Sequence, residues 1–134
     1  DRVAKDKGGW REASRLYNDF KFGLVMENAN VTGYVTEKVL NAFLGGAVPI
    51  YSGTREVMKL FNERAFVFYD PLRPESAVSK VRYLLANSTA YEEIAKEPIM
   101  SIDQFNEYFS LRGDGKLKKA IRNFLQIDRS VSTR

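Results

Sequence analysis

The chain contains no cysteine and no histidine. Disulfide frameworks, thiolate nucleophiles, histidine bases and ordinary zinc sites are therefore excluded. Without cysteine the redox compartment stays open. Acid–base chemistry falls to carboxylates, tyrosine or lysine. No apolar run approaches the ~18 residues that a membrane-spanning helix needs, and no signal peptide is visible. The G-x-G-x-x-G fingerprint and the G-x-x-x-x-G-K-[ST] phosphate loop are both absent. Ser52 has neither a histidine partner nor a G-x-S-x-G elbow, which argues against a serine hydrolase. No Asp-x-Asp pair supplies a metal clamp. The sequence neither requires a cofactor nor excludes a divalent metal.

What is present suits one ordinary domain. The 134 residues are 44% hydrophobic, 13% aromatic and 28% charged, enough for a real core and far from disorder or fibre. Twenty-one Lys and Arg stand against 17 Asp and Glu, a net charge of +4. That leans towards anionic ligands, but without a dense basic stripe it does not argue for nucleic acid. The first residue is Asp1, as expected of a segment of a longer protein.

Strand and helix patterns alternate. Residues 1 to 9 read as a loop or cut end. Trp10 to Phe20 reads as a helix with Ala13, Leu16, Tyr17 and Phe20 on one face. Lys21 to Met26 reads as a strand covered on both faces. Residues 27 to 35 form a loop longer than a strand-to-helix connection usually needs. Thr36 to Leu44 reads as a helix with Val35, Val39, Leu40, Phe43 and Leu44 inward, ended by Gly45-Gly46. Strands follow at Ala47 to Tyr51 and Ala65 to Tyr69, separated by a short helix from Thr54 to Phe61. A helix at Glu75 to Ala86 buries Val78, Val81, Leu84 and Leu85. Helices at Thr89 to Lys96, Ser101 to Phe109 and Lys116 to Leu125 complete the pattern, the last using Leu117, Ile121, Phe124 and Leu125. The aromatics at 66, 68, 105, 108 and 109 read as packing. This order predicts an α/β, Rossmann-like three-layer domain with a small parallel sheet over residues 1–126 and a polar tail at 127–134.

Ligands of open α/β sheets bind outside the carboxyl ends of the strands. Residues 27 to 38 fall at such an end. The helix start offers backbone N–H groups and partial positive charge, and Lys38 adds a full one; together they suit a diphosphate. Each residue also has a plainer reading. Thr36 can simply cap the helix. Glu37 can hold a ribose diol or merely complement the helix dipole. Lys38 can be a solvated surface lysine. Tyr34 can pack or present its hydroxyl, Asn28 can serve the strand end or a ligand, and Glu27 can supply a charge or be exposed.

The series Lys21-Phe22, Glu27-Asn28, Tyr34-Val-Thr-Glu-Lys38, Asn41-Ala42 and Ala47-Val48-Pro49-Ile50 resembles the α-1,3/α-1,4-fucosyltransferases. The likeness continues through Gly53, Phe66-Val67 and Tyr83-Leu84-Leu85, covering roughly residues 15 to 110. Met26 departs from the phenylalanine usual before Glu-Asn. The resemblance implies one half of a two-domain GT-B enzyme, the C-terminal half that binds GDP-fucose. It implies inverting transfer of fucose to a hydroxyl of an acceptor glycan held by the N-terminal domain. Lys38 would pair with the diphosphate, Glu37 would hold the ribose, and Tyr34 and Asn28 would contact the phosphate or fucose side. Glu27 and Thr36 are further donor-site candidates. The catalytic base and a diphosphate-binding arginine are expected outside these residues, so the segment alone is expected to be inactive. A related transferase using another nucleotide sugar, and a non-catalytic binding module, are the alternatives. The sequons Asn30-Val-Thr32 and Asn87-Ser-Thr89 favour the Golgi lumen, as part of a type II membrane protein, over a bacterial cytoplasm.

Overall fold

A computed structural model describes residues 9–111 and 115–124, apart from the side chains at 9–11 and 124. The expectations for residues 1–8, for the Phe124 side chain, for Leu125 and for the polar tail lie outside the described residues. The chain divides into two compact units, residues 1–99 and 100–134.

The first unit holds a parallel sheet of three strands in the order β1-β2-β3: β1 Phe22–Met26, β2 Val48–Ser52 and β3 Val67–Phe68. Phe22 lies opposite Val48 and Met26 opposite Ser52; Ile50 lies opposite Val67. β3 is shorter than its apolar run because Glu63–Ala65 winds into a 3-10 turn first. The ladder still continues one step, with the Tyr69 N–H donating to the Tyr51 carbonyl at 2.7 Å.

Helices cover both faces, as the alternating pattern requires. On one face lie α1 (Glu37–Leu44) and a 3-10 helix, Gly9–Tyr17. They approach so closely that a Cβ on Gly23 would sit 2.6 Å from the Tyr17 ring and 3.3 Å from Ala42. A bare strand position there is a condition of the packing. On the other face α3 (Glu75–Ala86) and α4 (Ser88–Lys96) bring Ala77, Leu84 and Ile94 against Val48 and Val67. Phe22 meets Tyr91 edge-on at 5.4 Å. Asn87 starts α4 by accepting from the Ala90 N–H at 3.0 Å. A short α2 (Val57–Leu60) joins β2 to the 3-10 turn, and Thr54 accepts from the Glu56 N–H just before it.

Several expectations need correction. β1 is covered on one face over its full length but on the other only at its start. Leu24 and Met26 are 62% and 50% exposed, because α3 and α4 pack over β2, β3 and Phe22 without reaching the rest of this edge strand. The first helix ends at Tyr17, so Leu16 and Phe20 do not form a buried stripe with it. Leu44, in the last turn of α1, is exposed. The buried stripe of α3 runs through Ala77 and Leu84 with Val81 at its margin; Val78 and Leu85 face outward.

The second unit contains α5 (Ile102–Gln104), a π-helical turn Phe105–Phe109 and α6 (Lys116–Phe124). Ser101 and Gln104 form a reciprocal capping box at its start. Phe105 is exposed, against the packing role expected for it. Lys116 pairs with Glu107 at 2.8 Å and lies over the Tyr108 ring.

Candidate ligand site at the carboxyl edge of the sheet

The strand ladder runs one residue past β1: the Glu27 N–H donates to the Ser52 carbonyl at 2.9 Å. That bond keeps the alternation of the strand, so the Glu27 side chain follows Gly23 and Val25 to the covered face. It is 0% exposed. Its room comes from Gly53, where a Cβ would sit 2.8 Å from the Glu27 Cγ and 2.5 Å from the Tyr51 hydroxyl oxygen.

The carboxylate is fully engaged. Its Oε1 accepts from the Thr36 N–H at 2.8 Å, and its Oε2 accepts from the Thr36 hydroxyl at 2.7 Å. The Tyr51 hydroxyl donates over a long 3.5 Å, and the Lys38 ammonium stands 4.0 Å away. Burial first, then the charge and hydrogen bond of Glu27, raise the Tyr51 hydroxyl above its ordinary range. Tyr51 is therefore a neutral donor.

Thr36 occupies the N-cap of α1 with extended backbone, φ −106° and ψ 178°, yet its side chain makes no capping bond. Of the two roles open to it in the sequence, capping is the one it does not perform. Lys38 donates to the Asn28 Oδ1 at 2.8 Å and to the Met26 carbonyl at 3.2 Å. An ammonium carries three donors, so one is not spent on these two oxygens. Glu37 is exposed and Tyr34 is 38% exposed, and among the described residues neither side chain makes a hydrogen bond or ion pair. Asn28 and Lys38 are thus brought into contact, Glu27 and Thr36 are tied to each other beneath them, and Glu37 and Tyr34 are presented outward.

The loop is shaped by its own turns and by one outside residue. The Tyr34 N–H donates to the Val31 carbonyl at 2.9 Å. Gly33 has φ +81°, a conformation that favours glycine. Its N–H donates to the Glu56 carboxylate, which also pairs with Lys59 at 3.1 Å. Lys59 first, and then the Gly33 N–H, hold the Glu56 carboxyl below its usual value. Beside it, the Arg55 guanidinium lies 4.8 Å from the centre of the Phe68 ring. Tyr51, Arg55 and Glu56 were missed in the sequence. Tyr51 lies at the end of the neighbouring strand and Arg55 and Glu56 follow it; the signal for them was the Ser52-Gly53-Thr54 turn, which must end at the same sheet edge as residues 27 to 38.

Chemically, the edge combines a lysine with a donor to spare, a helix start whose cap residue faces elsewhere, and an outward carboxylate one residue from that lysine. A diphosphate fits the first two and a vicinal diol the third. Among the described residues no group of three or more acidic side chains could hold a metal ion.

Residues 3–96 match the model of the family described as glycosyltransferase family 10 (fucosyltransferase), C-terminal part. The chain is similar to the alpha-(1,3)-fucosyltransferase FucT of Helicobacter pylori, 33% identical over 95 residues, covering 69% of this chain and 20% of that protein. It is also similar to the putative fucosyltransferase R654 of Acanthamoeba polyphaga mimivirus, 30% identical over 105 residues, covering 74% of this chain and 18% of that protein. Among solved structures, an alpha1,3-fucosyltransferase with GDP-fucose aligns at a TM-score of 0.68 and 27% identity, covering 98% of this chain and 39% of that one. The same enzyme type with GDP aligns at 0.67 and 27%, covering 90% and 35%. The chain spans about a fifth of the length of these curated relatives.

Proposed function

Since the chain belongs to glycosyltransferase family 10, the fucosyltransferases, by the C-terminal part of that family, we propose that it binds the donor GDP-fucose and presents it for transfer to an acceptor sugar hydroxyl. The observation that carries this reading is Lys38 at the start of α1, held by Asn28 and Met26 with one donor left over. Solved relatives that hold GDP and GDP-fucose support the choice of ligand.

In this reading Lys38 and the first N–H groups of α1 bind the diphosphate. Negative charge grows on that group as the glycosidic bond breaks. Interactions that strengthen with the growing charge lower the barrier rather than merely tightening binding. Glu37, exposed and without a hydrogen bond or ion pair among the described residues, accepts from the ribose hydroxyls. Tyr34 and Asn28 lie towards the sugar side. The base that takes the acceptor proton comes from another part of the protein, and transfer inverts the anomeric centre. The sequon at the exposed Asn30 favours a lumenal setting, although a glycan there would stand in the donor loop. Asn87 is occupied by its cap and by Tyr83.

Calorimetry with GDP, GDP-fucose, GDP-mannose and UDP-sugars tests the proposal. GDP-fucose and GDP should bind, UDP-sugars should not, and Lys38→Ala should weaken GDP by about tenfold or more, the worth of one charge-assisted hydrogen bond. A folded chain that ignores GDP, or that binds it equally well as Lys38→Ala, would refute it.

A further inference from the structure

We propose that Glu27 is a positioning residue of this site: it holds Thr36 so that Thr36 cannot cap α1, and so keeps the first N–H groups of the helix available to an anionic ligand. The inference rests on the donor-site reading above.

A threonine at an N-cap ordinarily turns its oxygen onto the N–H of the second or third helical residue, here Lys38 or Val39. Thr36 has the extended backbone of such a cap, and its side chain makes no such bond. The cause lies in the buried carboxylate below. Glu27 takes the Thr36 N–H on one oxygen and the Thr36 hydroxyl on the other. The side-chain torsion that reaches Glu27 turns the threonine oxygen away from the helix. Glu27 itself cannot follow the loop, because its backbone is fixed to Ser52 and its side chain sits in the space left by Gly53. The carboxylate also stands 4.0 Å from the Lys38 ammonium, on the inner side of that group. A protein that needed only a stable helix would let Thr36 cap it. Here the capping residue is held by a buried acid instead, at the one helix start that carries Lys38.

The test has two independent readouts on the full chain. In Glu27→Met the side chain keeps its length but offers no strong hydrogen-bonding group, so the Thr36 hydroxyl is released towards the helix. Amide exchange of Lys38 and Val39 without ligand should slow severalfold in Glu27→Met and return to the wild-type rate in Glu27→Met with Thr36→Val. GDP affinity, by calorimetry, should fall about tenfold in Glu27→Met. It should recover to within about threefold of wild type in the double variant. Recovery on deleting a hydroxyl is something a damaged fold would not give. Glu27→Asp, which keeps the charge but withdraws it by one methylene, replaces Glu27→Met if the latter does not fold. Unchanged exchange and affinity in Glu27→Met would overturn the proposal. So would a loss that persists in the double variant, or a large loss in Thr36→Val alone, which would make the hydroxyl a ligand contact. A wild-type chain that shows the exchange pattern but no GDP binding would overturn the donor reading while sustaining the hold on Thr36.

Discussion

Two polar centres of the first unit invite comparison, one at each end of the sheet. At the amino end Asn62 donates its N–H to the Ile99 carbonyl at 2.8 Å and its side-chain amide to Glu97 and the Pro98 carbonyl. Its carbonyl oxygen accepts from Arg64, and Arg64 pairs with Glu97. Every donor of that asparagine ends on a neighbour. At the carboxyl end Glu27 is just as fully engaged, but the groups it supports are not. Lys38 keeps a donor, the helix start keeps its N–H groups, and Glu37 points outward. Buried polar side chains are normally satisfied, so satisfaction alone does not separate the two centres. What separates them is the surplus left around the second.

That contrast can be broken in graded ways. The largest effect belongs to Lys38→Ala, about 2–3 kcal/mol in GDP binding, with a smaller loss of urea stability from its bonds to Asn28 and Met26 and its ion pair with Glu27. Asn62→Ala should do the reverse: about 2 kcal/mol less stable in urea, for several hydrogen bonds at a half-buried site, with GDP affinity intact. If Asn62→Ala also weakens GDP, the two ends are coupled and the contrast fails. Smaller still are two glycines in the same left-handed conformation, Gly33 at φ +81° and Gly46 at φ +80°, neither with an atom near its missing Cβ. Alanine at either should cost about 1 kcal/mol of stability, but only Gly33→Ala should alter GDP affinity in calorimetry. The smallest effect is the pH response of the Glu56 contact. Its carboxyl is held below the ordinary 4.5 by Lys59 and the Gly33 N–H. The contact is therefore complete above that value and is lost as pH falls through the lowered one. The Gly33 amide resonance should move in that acidic window and stop moving there in Glu56→Gln.

The sequence disclosed contiguous things well. α3 runs from Glu75 to Ala86, as its pattern indicates. That Asn28 and Lys38 would meet was legible, because they bracket one strand-to-helix turn. Which face a residue takes was less legible. Hydrophobicity favoured Val78 over Ala77, although a small side chain is what lets α3 lie close to Val48 and Val67. Glu27 was left undecided between exposure and use, and strand parity would have decided it: the position continues Gly23 and Val25 inward. Glu56 was illegible, for its contact with Gly33 spans 23 residues and depends on two loops meeting above neighbouring strands.

Both strand pairs are parallel, and this has a kinetic consequence. Parallel neighbours cannot close as a hairpin; each pair must wait for an intervening crossover. For β1 and β2 that crossover is the stretch carrying Glu27, Thr36 and Lys38. The order of assembly is thereby constrained: the sheet cannot zip before the ligand loop and α1 have returned the chain. Nascent chain that stops short of β2 leaves β1 without the partner that sets its register.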